Sequence, residues 1–595
     1  MESHFYVRVN NSSDNYIKYN SEDEEKQNII LFIKKNVKIS EITDKYFMYV
    51  KYNDDLLIIV FNTIELSEKN YRLLFNYIIK NYKEDRDKLS RCKIDISKIE
   101  TELYKEELYC LNKVYKNYIK FDEENEFKHK NIINLFVYNI IEFKSFDNLH
   151  TLAFDMKFNQ EITENVLPGS LHTLDLGFEF NKEIKKNVLP GSLHTLILSN
   201  KFNKEIKEDV LPGSLHTLIF GYEYNIEIKH SVLPSNLHTL TFGDRYNKEI
   251  KHSVLPSNLH TLTFGNTYNK EIKECVLPSK LHTLTFGKFF LHEIKENVLP
   301  KSLHTLTLSS QFNKKIKEKL LPVSLHTLIF GEKFNQEINM NELPDSLHTL
   351  TFGFNFNQEI KENVLPSLLH TLTFGYYFNK VIIENILPVS LHTLTFGEDF
   401  NQEIKENVLP DSLHTLTFSI RFNQEIKDNV LPDSLHTLEF GEQFNQEIKV
   451  GVLPEHLHTL VMGHTYNTEI KVGVLPEHLH TLVMGYSYNT EIKERVLPEY
   501  LHTLDLGSTY NIDINVAILP ISIKKIFLSV NCNLINNLPS HIEEVYIRFN
   551  RDDTRNKKIN TLPTTLKKIY IQYDNYLKYI TNIPDGCKIV IEKFN

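Results

Sequence analysis

A histidine recurs every 22 residues from His150 to His502, always within Leu-His-Thr-Leu, and these seventeen copies hold 17 of the chain's 26 histidines. Imidazoles in register on strands ~4.8 Å apart could hydrogen-bond, stack, share a metal ion or titrate together near neutral pH. Two places enrich the column: His456 with His458, then His478 with His480, stand at i and i+2 and are expected to share a sheet face. A catalytic histidine needs a nucleophile or carboxylate at one place, and a metal needs a closed ligand set. A uniform repeat supplies neither, so the column favours a structural ladder over metal binding, proton sensing or catalysis. No catalytic residue, metal ligand or cofactor site is assigned.

Threonines form a second column, in pairs such as Thr239 and Thr241, Thr261 and Thr263, and Thr415 and Thr417. Regular outward threonines on a parallel sheet resemble those of ice-binding solenoids. Ile219, Ile329, Glu439 and Val461 break the rank, and β-propensity on a solvated face accounts for it. The third candidate is the pair of positions after each repeat glycine, which vary far more than the core columns and include Phe178, Tyr222, Phe289, Phe354, Tyr376, Tyr377 and Tyr486. Aromatics there, on a rim at the strand ends, serve either as partner contacts on a rigid frame or as rim packing. Phe354, Tyr376 and Tyr377 fall in adjacent copies. The Glu and Lys of Glu-Ile-Lys are expected to be a solvated, mutually compensating face.

The elements that position these columns follow from the punctuation. None of the 20 prolines or 19 glycines precedes Pro168, and seventeen prolines from Pro168 to Pro520 recur every 22 residues. The unit L-H-T-L-x-F-G-x-x-F-N-x-E-I-K-x-N-V-L-P-x-S is too short to enclose its own core and must bury its apolar face against its neighbours, as solenoid repeats do. In the copy at Leu171 the expected inward set is Leu171, Leu174, Leu176, Phe180, Ile184, Val188 and Leu189, with Thr173 and Asp175 pointing outward by strand alternation. Gly177 suggests a tight bend or left-handed backbone, although Ser199, Ser309 and Ser419 in that column show that a positive φ is not obligatory. The proline and β-branched residues of the second half predict an extended, non-helical return path.

The Phe-Asn pair, the Ile-x-x-Asn-Val-Leu-Pro run and the Pro-x-Ser-Leu-x-x-Leu-x-Phe strand, as in Phe356-Asn357-Gln358-Glu359-Ile360 through Leu365-Pro366 to Leu369-His370-Thr371-Leu372-Thr373-Phe374, resemble the FNIP repeat family. The resemblance covers roughly residue 149 to the C-terminus. It implies a fold similar to the leucine-rich repeats (LRR), an occurrence in social amoebae and giant viruses of amoebae, often behind an F-box, and a binding scaffold in place of an enzyme. The first 148 residues contain no proline, so the Leu-Pro-x-Glu-Leu opening of an F-box is not there. After Pro520 the copies lose His and Gly, and residues 521–595 are expected to be degenerate repeats closing in a C-terminal cap.

Residues 1–148 are expected to form a small α+β N-terminal domain of no recognised family, in part a cap on the first sheet edge. Strands are expected at 5–9, 46–52 and 56–61, and helices at 66–82 and 99–118. The fold class is thus mainly β: an LRR-like parallel β-solenoid of 22-residue repeats over 149–520 behind that domain. A formal net charge of −10 argues against a nucleic-acid partner. Five scattered cysteines without a C-x-x-C pair fit a reducing, cytoplasmic compartment and not a disulfide or zinc framework. The N-terminal residues lack a signal-peptide layout, and no stretch is apolar enough to span a membrane. No G-x-x-x-x-G-K, G-x-G-x-x-G, H-E-x-x-H or G-x-S-x-G is present. Residues 447–463 repeat as 469–485 and 230–243 as 252–265, so the array grew by duplication and its function tolerates copy number. The expected function is a non-enzymatic scaffold binding a host or viral protein through the solenoid. A ubiquitin-ligase substrate adaptor and an enzyme within 1–148 stand as alternatives.

Overall fold

Each copy is built on a three-residue strand, Thr-Leu-x, whose leucine alone faces inward. The computed structural model describes residues 148–549 and 556–592 and, ahead of them, the strands Phe5–Arg8, Tyr16–Tyr19, Met48–Asn53, Leu56–Phe61, Lys93–Asp95 and Asn134–Val137. Two compact units divide the chain, Met1–Leu281 and His282–Asn595. In the first, Asn134–Val137 pairs parallel with Thr151–Phe154, and the ladder continues in register, leucine on leucine, to Thr261–Thr263. The sheet thus extends one strand ahead of residue 149. In the same unit Phe5–Arg8 pairs antiparallel with Tyr16–Tyr19, and Leu56–Phe61 lies between antiparallel Met48–Asn53 and parallel Lys93–Asp95. The helices expected at 66–82 and 99–118 lie outside the described residues. In the second unit a parallel ladder runs from Thr283–Thr285 to Lys588–Ile591.

Strands this short hold because pairing spreads beyond them. The amides of His172 and Thr173 both donate to the carbonyl of His150, at 2.8 Å each, and the same forked bond recurs down both units. All seven expected inward residues of the copy at Leu171 are buried, whereas Thr173 and Asp175 are half-buried. Two aromatic ladders fill the space behind the leucines. Within one copy the rings of Phe352 and Phe356 lie 3.8 Å apart, and each stacks on its counterpart in the next copy, Phe374 at 5.7 Å and Phe378 at 6.1 Å. The asparagine of each Phe-Asn pair closes the outer side: Asn357 Oδ1 accepts the amide of Asn379, and the same bond joins successive copies at 2.8–3.1 Å. Pro366 turns the chain back to the sheet, its carbonyl accepting the Leu369 amide.

Two backbone columns refine the expected bends. A Cβ at Gly375 would lie 1.7 Å from the carbonyl oxygen of Gly353, so this column is kept small by the approach of the preceding copy; only Gly177 and Gly507 in it have positive φ among the described residues. Ser309 and Ser419 are accommodated there by burying the hydroxyl, which donates to the carbonyls of Lys288 and Phe400. The left-handed residue stands elsewhere, immediately before Val-Leu-Pro, with φ from 58° at Asn429 to 67° at Asn341 among the non-glycine residues. Asn dominates that column because it tolerates the conformation, and Gly451 and Gly473 occupy it twice. The return path of the regular copies is non-helical, as expected, but it is broken by a turn at the left-handed residue and a second turn after the proline and is not extended throughout; 3₁₀ turns enter at Val516–Ile518, Asn533–Asn536 and Asp574–Tyr579, where the repeat degenerates. No helix among the described residues is long and apolar enough to cross a membrane.

Leu372 has no exposed surface, so Leu372→Ala is expected to lower unfolding free energy by about 2–5 kcal/mol in denaturant titrations. A loss under about 1 kcal/mol would contradict the burial. Arg495 carries φ +64° where Gly473 stands one copy earlier, and Arg495→Gly is expected to stabilise by about 0.5–1 kcal/mol. A measured destabilisation would show that the arginine side chain outweighs the backbone cost.

Candidate functional site

The histidine column lies just ahead of the strands. His194 Nδ1 is 2.7 Å from the Ser192 carbonyl, and the same contact recurs at His304 and His436. A carbonyl only accepts, so Nδ1 carries the proton and donates it, leaving Nε2 as the lone-pair nitrogen of the neutral ring. Successive rings stack: His194 and His216 have centroids 5.1 Å apart at 12°, and His348 and His370 match them at 5.1 Å and 7°. The serine that supplies the carbonyl also reaches back, Ser192 Oγ donating to the Leu171 carbonyl at 2.7 Å. The imidazole thus closes the turn within its own copy, and the serine hydroxyl ties that turn to the preceding copy.

The doubled histidines correct one expectation. His456 and His478 sit in the turn after the proline, ahead of the strands Thr459–Val461 and Thr481–Val483, and do not share a sheet face with His458 and His480. Their rings are 6.5 Å apart. His458, His480 and His502 instead turn Nδ1 toward the hydroxyls of Thr459, Thr481 and Thr503, and their rings close to 4.6 and 4.7 Å. No group of three or more His, Cys, Asp or Glu among the described residues could hold a metal ion.

The rim residues sort by what they touch. Phe178 is half-buried, Tyr222 lies under the Arg245 guanidinium, and Phe289 under the Lys288 ammonium. Tyr486 stacks on His464 at 4.7 Å. Phe354, Tyr376 and Tyr377 are brought together: Phe354 stacks on Tyr376 at 4.3 Å, and Tyr377 stands edge-on to both, at 5.1 and 5.0 Å. Phe354 and Tyr377 remain 43% and 44% exposed. A hydrogen bond to the Glu398 carboxylate, with its charge, pushes the Tyr376 phenol above its ordinary pKa. These three rings form an apolar cluster beside two acids, Glu398 and Asp399.

Two features escaped the reading by repeat. In the degenerate copies the outward strand position becomes aromatic, and Phe527, Tyr546 and Tyr570 stack at 3.9 Å each. The signal was present in Ile526-Phe527-Leu528 and Val545-Tyr546-Ile547, where an aromatic alternates with inward apolar residues. Beside them Arg548 forms a bidentate pair with Asp505, both bonds 2.7 Å and both side chains nearly buried, bridging strands two positions apart. That pair joins residues 43 apart, and no local pattern announces it.

Burial, then the neighbouring His458 and His502, hold the His480 imidazole below its ordinary pKa. The folded chain therefore binds fewer protons at this ring than the unfolded chain, and the stability it contributes is present above about pH 6.5 and lost as pH falls below that value. Thermal midpoints are expected to fall between neutral and mildly acidic buffer, and His480→Gln to narrow the difference. An identical difference in the variant would remove His480 as a contributor.

The comparisons with known proteins bear on this surface. The FNIP repeat model matches in ten segments, continuous or overlapping over residues 158–531. Among solved structures, the chain is similar to CroV588, a giant-virus protein described as a novel circular LRR protein structure, at 39% identity and a TM-score of 0.69, covering 84% of this chain and 78% of that one. An internalin, InlF, from Listeria monocytogenes matches at 11% identity and a TM-score of 0.28, over 65% of this chain and 87% of that one, a likeness too weak to carry an argument. No curated protein matches. With its Phe-Asn, Asn-Val-Leu-Pro and Leu-His-Thr-Leu columns stacked in register within each unit, and with the family model matched over more than half its length, the chain belongs to the FNIP repeat family.

Proposed function

We propose that the array is a non-enzymatic protein-binding scaffold and that Phe354, Tyr376 and Tyr377 anchor its partner, a host or viral protein. The observation that carries this reading is the exposed three-ring cluster, since the same positions hold Glu332, Lys333, Glu398 and Asp399 in neighbouring copies and the repeat does not require rings there. Large apolar rings on a rigid frame lose little conformational freedom on binding and exclude water well, the usual chemistry of an interface anchor. The LRR-like solenoid of the family supports the same reading at the level of fold.

Affinity purification with the full chain, beside a chain starting at Lys130 that keeps the first sheet strand, Asn134–Val137, assigns partners to each half. The combined change Phe354→Ala, Tyr376→Ala and Tyr377→Ala is expected to weaken capture of the solenoid's partner by about 2 kcal/mol or more, roughly thirtyfold, with little change in melting temperature. Unchanged capture with intact folding would remove the cluster as an anchor, and a large fall in stability would make it rim packing.

A further inference from the structure

Along the return path the lysine of most repeats reaches back to the glutamate of the preceding repeat. Lys427 meets Glu403, Lys449 meets Glu425 and Lys493 meets Glu469, each at 2.5 Å, and Lys361 pairs with Glu337 in the same way. One repeat departs at both positions: Val381 stands in the glutamate column and Ile383 in the lysine column, 51% and 52% exposed. Every other copy from Phe158 to Pro520 keeps polar or charged side chains there. The departure leaves two charges over. Glu359, one repeat earlier, has no lysine reaching back to it, and Lys405, one repeat later, has no glutamate to reach. Both are exposed, and neither has an ion pair among the described residues.

Three successive repeats therefore present an acid, an exposed apolar pair and a base. We propose that this face is a two-fold contact between two copies of this chain. A two-fold axis through the midpoint between Glu359 and Lys405, lying in the face and perpendicular to the line joining them, exchanges their positions. Glu359 of each copy then meets Lys405 of the other, and the two Val381–Ile383 pairs close on each other at the axis. The self-complementary order of charges is the reason to assign a second copy as the occupant, because any other chain would need the same pattern reversed. With one repeat at its centre the contact is small, and its Kd is expected at about 1–100 μM. The inference does not rest on the partner-capture reading, since it concerns the return-path face and not the rim.

The test is sedimentation velocity of the full chain from about 1 to about 100 μM, where concentration-dependent dimerisation is expected. Val381→Glu with Ile383→Lys restores the pattern of the neighbouring repeats, so it is expected to keep the melting temperature while weakening dimerisation about tenfold or more. Glu359→Lys alone is expected to weaken it similarly, and adding Lys405→Glu to recover it, a rescue that general surface damage would not give. A chain that stays monomeric throughout, or a dimer that Val381→Glu with Ile383→Lys leaves unchanged, would overturn the proposal and leave the face to a different chain. A dimer weakened by Glu359→Lys but not recovered by the charge exchange would overturn the two-fold pairing.

Discussion

The forked hydrogen bond from two successive amides to one histidine carbonyl sets the axial step on which everything else in these repeats depends. Once His172 and Thr173 are fixed on His150, each residue has its counterpart 22 positions away directly beneath it. A fixed step turns every sequence column into a physical column, and the chemistry of each position becomes the chemistry of like stacked on like. Asn does well there because its amide oxygen accepts the next asparagine's backbone N–H. Phe does well because offset rings at about 6 Å fill the core without a void.

Charges do badly under the same rule, because identical ions one step apart repel. The repeat avoids this by setting glutamate and lysine two residues apart, so each ammonium reaches back one copy to a carboxylate. These pairs are more than half exposed on the lysine side and each adds little stability. Their collective effect is to leave the face neutral. The histidines meet the constraint differently: a neutral ring held by its Nδ1–H can stack on its neighbour, and the ladder is tightest where His480 resists protonation.

Function is then to be sought where the columns change. The core and the hydrogen-bonded columns hold the step and cannot vary without local damage, whereas rim, return face and terminal strands can. Phe354 with Tyr376 and Tyr377, Val381 with Ile383, and Phe527 with Tyr546 and Tyr570 are such departures, the second replacing a polar column with exposed apolar side chains and the other two gathering rings in contact. The last group is braced by the Asp505–Arg548 pair, whose desolvation is offset by two charge-assisted bonds.

Periodicity alone determined the inward set of the repeat, the parallel stacking and the absence of helix from the return path, because a 22-residue unit has a single way to bury Leu171, Leu174, Phe180 and Ile184 against its copies. The aromatic rim was equally legible, since variation beside constant columns marks surface. Tertiary structure decided what periodicity leaves open. Whether a glycine is required by φ or by proximity depends on the carbonyl of the copy below, which is why the left-handed backbone lies at Asn363 and not at Gly375. Whether a histidine is on a sheet or in a turn depends on where three-residue strands begin, and that placed His456 in the turn. Which rings meet was also decided there: Phe354 touches Tyr376 and Tyr377 because the axial step brings adjacent rims within reach, whereas Tyr222 and Tyr486 find other neighbours. The partner of Asp505 was beyond any column, since Arg548 lies in copies whose spacing has left 22 and only the folded sheet brings the two together.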